Sequence, residues 1–160
     1  MIKQKVSLFI VLGMFSLASC NNALVIKDVN YAQYVESVLI PDDQDIVHDY
    51  RNSISFSILP IKKLEVKDSQ IQEVSEIRLI RNSKGYYFIT ADQFKNVYVF
   101  EPKNGTLKLK ESIAISENGL KSPVFNWRDP YIEILSNNKE AKYFLSEKGI
   151  ITENEKEGES

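Results

Sequence analysis

The chain has 160 residues, 43% of them hydrophobic and 26% charged, and 20 basic against 22 acidic side chains leave a formal charge of −2. That is enough chain for one ordinary domain, without the basic excess that nucleic-acid binding needs, so no nucleic-acid partner is expected. One cysteine (Cys20) and one histidine (His48) rule out an internal disulfide and leave few nucleophile–base combinations.

The chain begins with a cationic start (Lys3, Lys5) and an apolar run from Val6 to Ala18, closed by Leu17-Ala18-Ser19-Cys20. Lysines before the run favour the cytoplasmic side. About 13 apolar residues suit a signal-peptide core and are too few to cross a bilayer core of about 30 Å. Leu17-Ala18-Ser19-Cys20 resembles the lipobox of bacterial lipoproteins. The resemblance implies a signal peptide over 1–19, cleavage before Cys20 and lipidation of the Cys20 sulfur. The membrane, reached through that anchor, is then the first partner. Removing Lys3 and Lys5 from the 20 basic residues leaves 18 against 22 acidic, a mature charge of −4. In proteobacterial lipoproteins an Asp after the cysteine tends to retain the protein in the inner membrane. Asn21 stands there, so the resemblance favours the outer membrane, facing the periplasm.

A single β-rich domain is expected over 20–152. Asn21-Asn22-Ala23 leads directly into Leu24-Val25-Ile26, which makes the tether short. Tyr31, Tyr34, Val35, Val38 and Leu39 fall at helical spacing, with Asn30 as N-cap, Gln33 completing a capping box and Pro41 as a stop, so one short N-terminal helix is expected there. Ser53 to Ile58 alternates, with Ile54, Phe56 and Ile58 on one face and serines on the other, as in an antiparallel strand with one wet face. Ile77, Leu79 and Arg81 continue as a second strand, and Asn82–Gly85 turns the chain into Tyr86–Thr90. A loop over 91–96 precedes Val97–Phe100. Asn104-Gly105 is a hairpin turn, after which Thr106–Lys110 returns with leucines inward and lysines outward. Phe125–Pro130 reads as a loop. Tyr131–Leu135, Lys142–Leu145 and Ile150–Thr152 form a three-stranded meander.

Tyr87 superposes on Tyr131 at an offset of about 44 residues, a rhythm like that of a β-propeller blade; coincidence among short hairpins accounts for it equally well. The mature chain is too short to close a propeller. The expected fold is therefore mainly β, an antiparallel meander sheet or small sandwich of blade-like hairpins. The tail 153–160 holds four glutamates and no large apolar residue, so an acidic, disordered end is expected.

Walker A, Gly-x-Ser-x-Gly, Cys-x-x-Cys and His-Glu-x-x-His motifs are absent, and no cofactor is expected. A Ser-His-Asp triad would have to use His48. Asp43, Asp45 and Asp49 offer alternating oxygen ligands for a weak Ca²⁺ site, without the glycine and distal glutamate of an EF-hand loop; a solvated turn after Pro41 accounts for them as well. Trp127, Arg128 and Tyr131 are the residue types that dominate protein interfaces, and mark a partner-binding knob; the plainer alternative is a Trp folded back over the core. These readings point to an envelope lipoprotein, not an enzyme, that binds a protein, as an inhibitor, an immunity-type factor or an accessory subunit. A carrier or sensor with an aromatic-lined cleft for a small ligand is the alternative, and a carboxylate-based hydrolase ranks last.

Overall fold

A computed structural model describes residues 34–65, 73–137 and 141–152. Three short elements come first: β1 (Ser37–Leu39), β2 (Ile46–Asp49) and β3 (Ile54–Ser57), followed by helix α1 (Leu59–Glu65). A four-stranded meander follows: β4 (Ile77–Arg81), β5 (Tyr87–Ala91), β6 (Asn96–Lys103) and β7 (Thr106–Ala114). A second meander closes the fold: β8 (Val124–Arg128), β9 (Tyr131–Ser136), β10 (Ala141–Ser146) and β11 (Gly149–Ile151). All pairings are antiparallel, in a five-stranded sheet β1-β4-β5-β6-β7, a four-stranded sheet β11-β10-β9-β8 and the hairpin β2-β3. Among the described residues the fold is mainly β with one short helix.

The five-stranded sheet is the middle layer, because its central strands carry apolar residues at both parities. Every residue of β5 is buried. Tyr87, Ile89 and Ala91 join Ile77, Leu79, Val47, Ile58 and Ile61 in a core shared with the β2–β3 hairpin and α1. Phe88 points the other way, into a core with Ile80, Val97, Val99, Phe125, Ile132, Ile134 and Leu145 that joins the two large sheets. Successive side chains of a strand alternate in direction, so Tyr86-Tyr87-Phe88 feeds two cores and not one.

The rhythm of about 44 residues has a structural counterpart. It brings β5 onto β9 and β6 onto β10, the corresponding strands of two successive meanders, which pack face to face instead of around an axis. Two carboxylates tie the layers. Glu36 accepts the Phe125 amide of β8 (2.8 Å) and the Arg78 guanidinium of β4 (3.2 Å). Burial pushes its carboxyl above the usual range, against the pull of the Phe125 bond and of Arg78. Glu65, at the end of α1, accepts from the Lys95 and Asn96 amides, Asn96 Nδ2 and Tyr98 Oη, all within 2.8–3.1 Å.

Several expectations are corrected. Ser37–Leu39 is strand β1, not the end of a helix: Ser37 and Leu39 are buried and Val38 is exposed, a period of two, because the segment satisfies its backbone by pairing with β4. Residues 30–33 of the expected helix lie outside the described residues. The helix that is described, α1, follows β3, where Ser57 Oγ accepts the Leu59 amide and Pro60 sits in the first turn, a position that tolerates proline. Phe125–Arg128 is not loop but most of β8, which pairs with β9 through Asp129-Pro130, joined by a cis peptide. On β7 the inward leucines fail beyond a bulge: Val99 faces Glu111 and Phe100 faces Leu109, leaving Lys110 as the extra residue. Leu107 stays half-buried and Leu109 is 39% exposed. The segments 1–19, with Cys20, and 153–160 lie outside the described residues.

Candidate functional site

A cleft of about 750 Å³ opens on the face of the middle sheet that carries the hairpin and α1. One wall is β3 with its flanks, Ser53 to Ser57, followed by Pro60 and Ile61. The other is the β6–β7 hairpin, Pro102 to Leu107, and the floor holds Tyr87, Ile89 and Phe100. Each wall follows from local sequence. Alternation in Ser53–Ile58 sends Ile54 and Phe56 toward the core, where they pack beside it half-buried. Asn104 and Gly105, at φ 52° and 73°, make the tight turn that projects β6 and β7 beyond the rest of the sheet.

The cleft is apolar with sparse polarity. Among the described residues, Lys103 is its one charged lining residue, and no carboxylate, imidazole or thiol lines it. Tyr87 lies 5% exposed in the floor, with the Arg81 guanidinium 5.5 Å from its ring centroid. Such a lining can bind and orient, and offers no acid–base pair for hydrolysis within the cleft.

The sequence-marked residues lie elsewhere, and the structure separates some of them. Arg128 and Tyr131 are a cross-strand pair of the β8–β9 hairpin. Trp127 points to the opposite face, in line with buried Phe125, and reaches the rim of the inter-sheet core, where its ring packs 5.0 Å from that of Tyr34. The three therefore do not form one knob. On the Arg128 side, buried Glu133 receives Lys142 Nζ at 2.8 Å, Asn126 Nδ2 at 2.9 Å and Arg128 Nε at 3.4 Å. Burial alone would raise the Glu133 carboxyl, but the bonds from Lys142 and Asn126, with the charges of Lys142 and Arg128, hold it below the usual range.

The aspartates are divided as well. Asp49 is buried at the end of β2, where it accepts from Ser37 Oγ, the Arg51 amide and Asn52 Nδ2. Asp45, at φ 58°, turns to Lys62 Nζ at 2.8 Å, and Asp43 is exposed. Asp42 organises the expected turn after Pro41 by accepting the Gln44 and Ile46 amides at 2.9 Å, bonds that lower its pKa. Among the described residues, no three His, Cys, Asp or Glu side chains are grouped to hold a metal ion. His48 Nδ1 lies 2.8 Å from Ser55 Oγ on the exposed face of the β2–β3 hairpin, its ring stacked on Tyr50.

No residue of the cleft was singled out by motif. The available signal was subtler: Ser53–Ser57 reads as a strand with no lysine or proline, the residues that usually guard an open edge. No protein-family model matches the chain, and no curated protein or solved structure is similar to it.

Proposed function

We propose that this chain is an envelope lipoprotein, anchored through Cys20 and facing the periplasm from the outer membrane, that binds a protein partner in the cleft between β3 and the β6–β7 hairpin. The lipobox resemblance at Leu17–Cys20 and the neighbouring Asn21 support the anchor and its address. One observation carries the binding reading. The Ser53–Ser57 wall runs along an apolar cleft on the side of β3 away from β2, where no other strand pairs among the described residues. The site moves from Trp127, Arg128 and Tyr131 to the cleft, because those three side chains diverge.

Two measurements test this. A Cys20→Ser chain expressed beside the parent should lose incorporation of labelled fatty acid, and retained label would defeat the anchor. A photoreactive side chain at Thr106, in the cleft, should give one discrete protein adduct in intact cells, and the same group at Arg128 should not. Adducts at neither position would defeat the binding reading; adducts at Arg128 alone would move it to the outer face of the β8–β11 sheet.

A second reading has its own observation. About 750 Å³ lies within the range of small-molecule sites, and the floor of Tyr87, Ile89 and Phe100 suits an apolar ligand. A carrier of that kind would bind a medium-chain fatty acid and leave the strand edge open to water.

A further inference from the structure

We infer that the partner enters as an extended strand added to the edge of β3 that no described strand pairs, making the β2–β3 hairpin a three-stranded sheet; this rests on the proposed protein-binding function. The hydrogen-bond phase of the hairpin determines which backbone groups are on offer. Ile58 donates its amide to the Asp45 carbonyl at 2.9 Å, one step beyond the Ile46↔Ser57 pair. Antiparallel ladders bond at alternate pairs. Val47 with Phe56, and Asp49 with Ile54, therefore exchange bonds across the hairpin, while Ser55 and Ser57 turn their amides and carbonyls outward. The opposite strand agrees independently: Ile46, the partner of Ser57, directs its amide to Asp42 Oδ1 and its carbonyl to the Asp42 amide, both at 2.9 Å and away from β3.

The outward edge is the one that meets the cleft. Five consecutive residues, Ser53 to Ser57, line it, as happens when a strand is presented edge-on and not by one face. A strand bonded there lies about 4.8 Å further out, inside the cleft. Beside Tyr87 and Ile89, the same face of the middle sheet carries half-buried Phe100 and Leu107 and exposed Leu109. An incoming strand with apolar residues at every second position can cover them. Lys103, the sole charge of the lining, selects a strand that carries a carboxylate beside that apolar row.

A small apolar ligand would fill the floor but leave the outward groups of Ser55 and Ser57 unmatched. Only a polypeptide repeats donors and acceptors at their spacing. The β7 edge of the middle sheet makes the contrast, since it carries Lys108 and Lys110 and a bulge, features that discourage pairing, whereas β3 carries none of them.

The test uses the full chain in detergent micelles and amide exchange followed by NMR. The probe is an acetylated octapeptide alternating valine with threonine or glutamate; its controls are the same composition with the valines in one block, and laurate. The alternating peptide should slow exchange at Ser55 and Ser57 by about tenfold or more. The blocked peptide and laurate should not. Ser55→Pro removes an outward donor and the Ser55 Oγ contact with His48 while leaving the backbone bonds to β2 in place, and should abolish the effect while Val47 and Phe56 amides stay protected as in the parent. Lys103→Glu should weaken binding about three- to tenfold. Equal protection by the blocked peptide, or no protection by any probe, overturns strand addition, and perturbation by laurate alone assigns the cleft to the carrier reading. If Ser55 and Ser57 are already protected without peptide, and deleting residues 24–29 exposes them, the occupant is the chain's own segment and the proposal fails. Adducts at Arg128 alone would leave a protein-binding function standing with strand addition refuted.

Discussion

At the residue scale, the buried polar groups act as fasteners, and those of Tyr98 and Glu133 carry a titration signature. Tyr98 lies 1% exposed, and its hydroxyl donates to Glu65 at 2.8 Å. Burial, then the Glu65 bond and charge, push the phenol well above its usual value of 10. A raised folded value means the folded state holds the proton more tightly. The stabilisation is complete below about pH 10 and is lost as pH rises toward the folded value. A Tyr98→Phe chain should therefore lose less stability between pH 10 and 11 than the parent, as denaturant midpoints will show; parallel losses would refute this. Glu133 has the opposite sign. Its carboxyl is held below 4.5, so its contribution is present above that pH and is lost as pH falls through the folded value. Glu133→Gln should flatten the acid limb of the stability curve below pH 4.5. An unchanged acid limb would mean that the bonds from Lys142 and Asn126 do not favour the charged form in solution.

At the element scale, turns decide where strands end, and two glycines make unequal demands. Gly105 has φ +73° with nothing near its would-be Cβ, so Gly105→Ala meets only left-handed strain, about 1–2 kcal/mol. Gly119 has φ +84°, and a Cβ there would lie 2.7 Å from the Gln93 carbonyl oxygen. That carbonyl cannot simply retreat, because the Gln93 amide donates to Leu120 and the Leu120 amide donates back to Phe94, each at 2.8 Å. Gly119→Ala should cost at least about 1 kcal/mol more than Gly105→Ala. Equal unfolding midpoints for the two variants would show that the Gln93 loop gives way freely.

At the scale of the whole molecule, one sheet serves two cores, so adjacent residues of β5 sustain different interfaces. Phe88 and Ile89 are both fully buried, on opposite faces. Phe88→Ala should cost about 3–5 kcal/mol and Ile89→Ala about 2–5 kcal/mol. Leu109→Ala, on the uncovered stretch beside the cleft, should cost less than about 1 kcal/mol. Equilibrium unfolding of the three variants checks the order. A large loss at Leu109 would mean that this stretch is already covered in the free protein. The same asymmetry explains the cleft: the β2–β3 hairpin and α1 cover one part of the outer face of the middle sheet, and β6 and β7 run on past them.

Much of this was legible in the chain. Period-two alternation marked β3 and β4, turns between apolar runs marked β9 and β10, and Asn104-Gly105 announced its hairpin, because a strand's two faces and a turn's positive φ restrict residue choice locally. The sequence alone also carries the entire basis for the proposed anchor, since the lipobox resemblance at Leu17–Cys20 rests on residue types and not on a fold. Tertiary contact decided the rest. Ser37–Leu39 became strand because β4 offered it a ladder, and Phe125–Arg128 because β9 did; neither partner is visible from within the segment. Trp127 parted from Arg128 for the same reason, since pairing forces neighbours in a strand to opposite faces. The cleft is the clearest case: it exists because a two-stranded sheet stops short of covering a longer one, a relation between distant segments that no local pattern encodes.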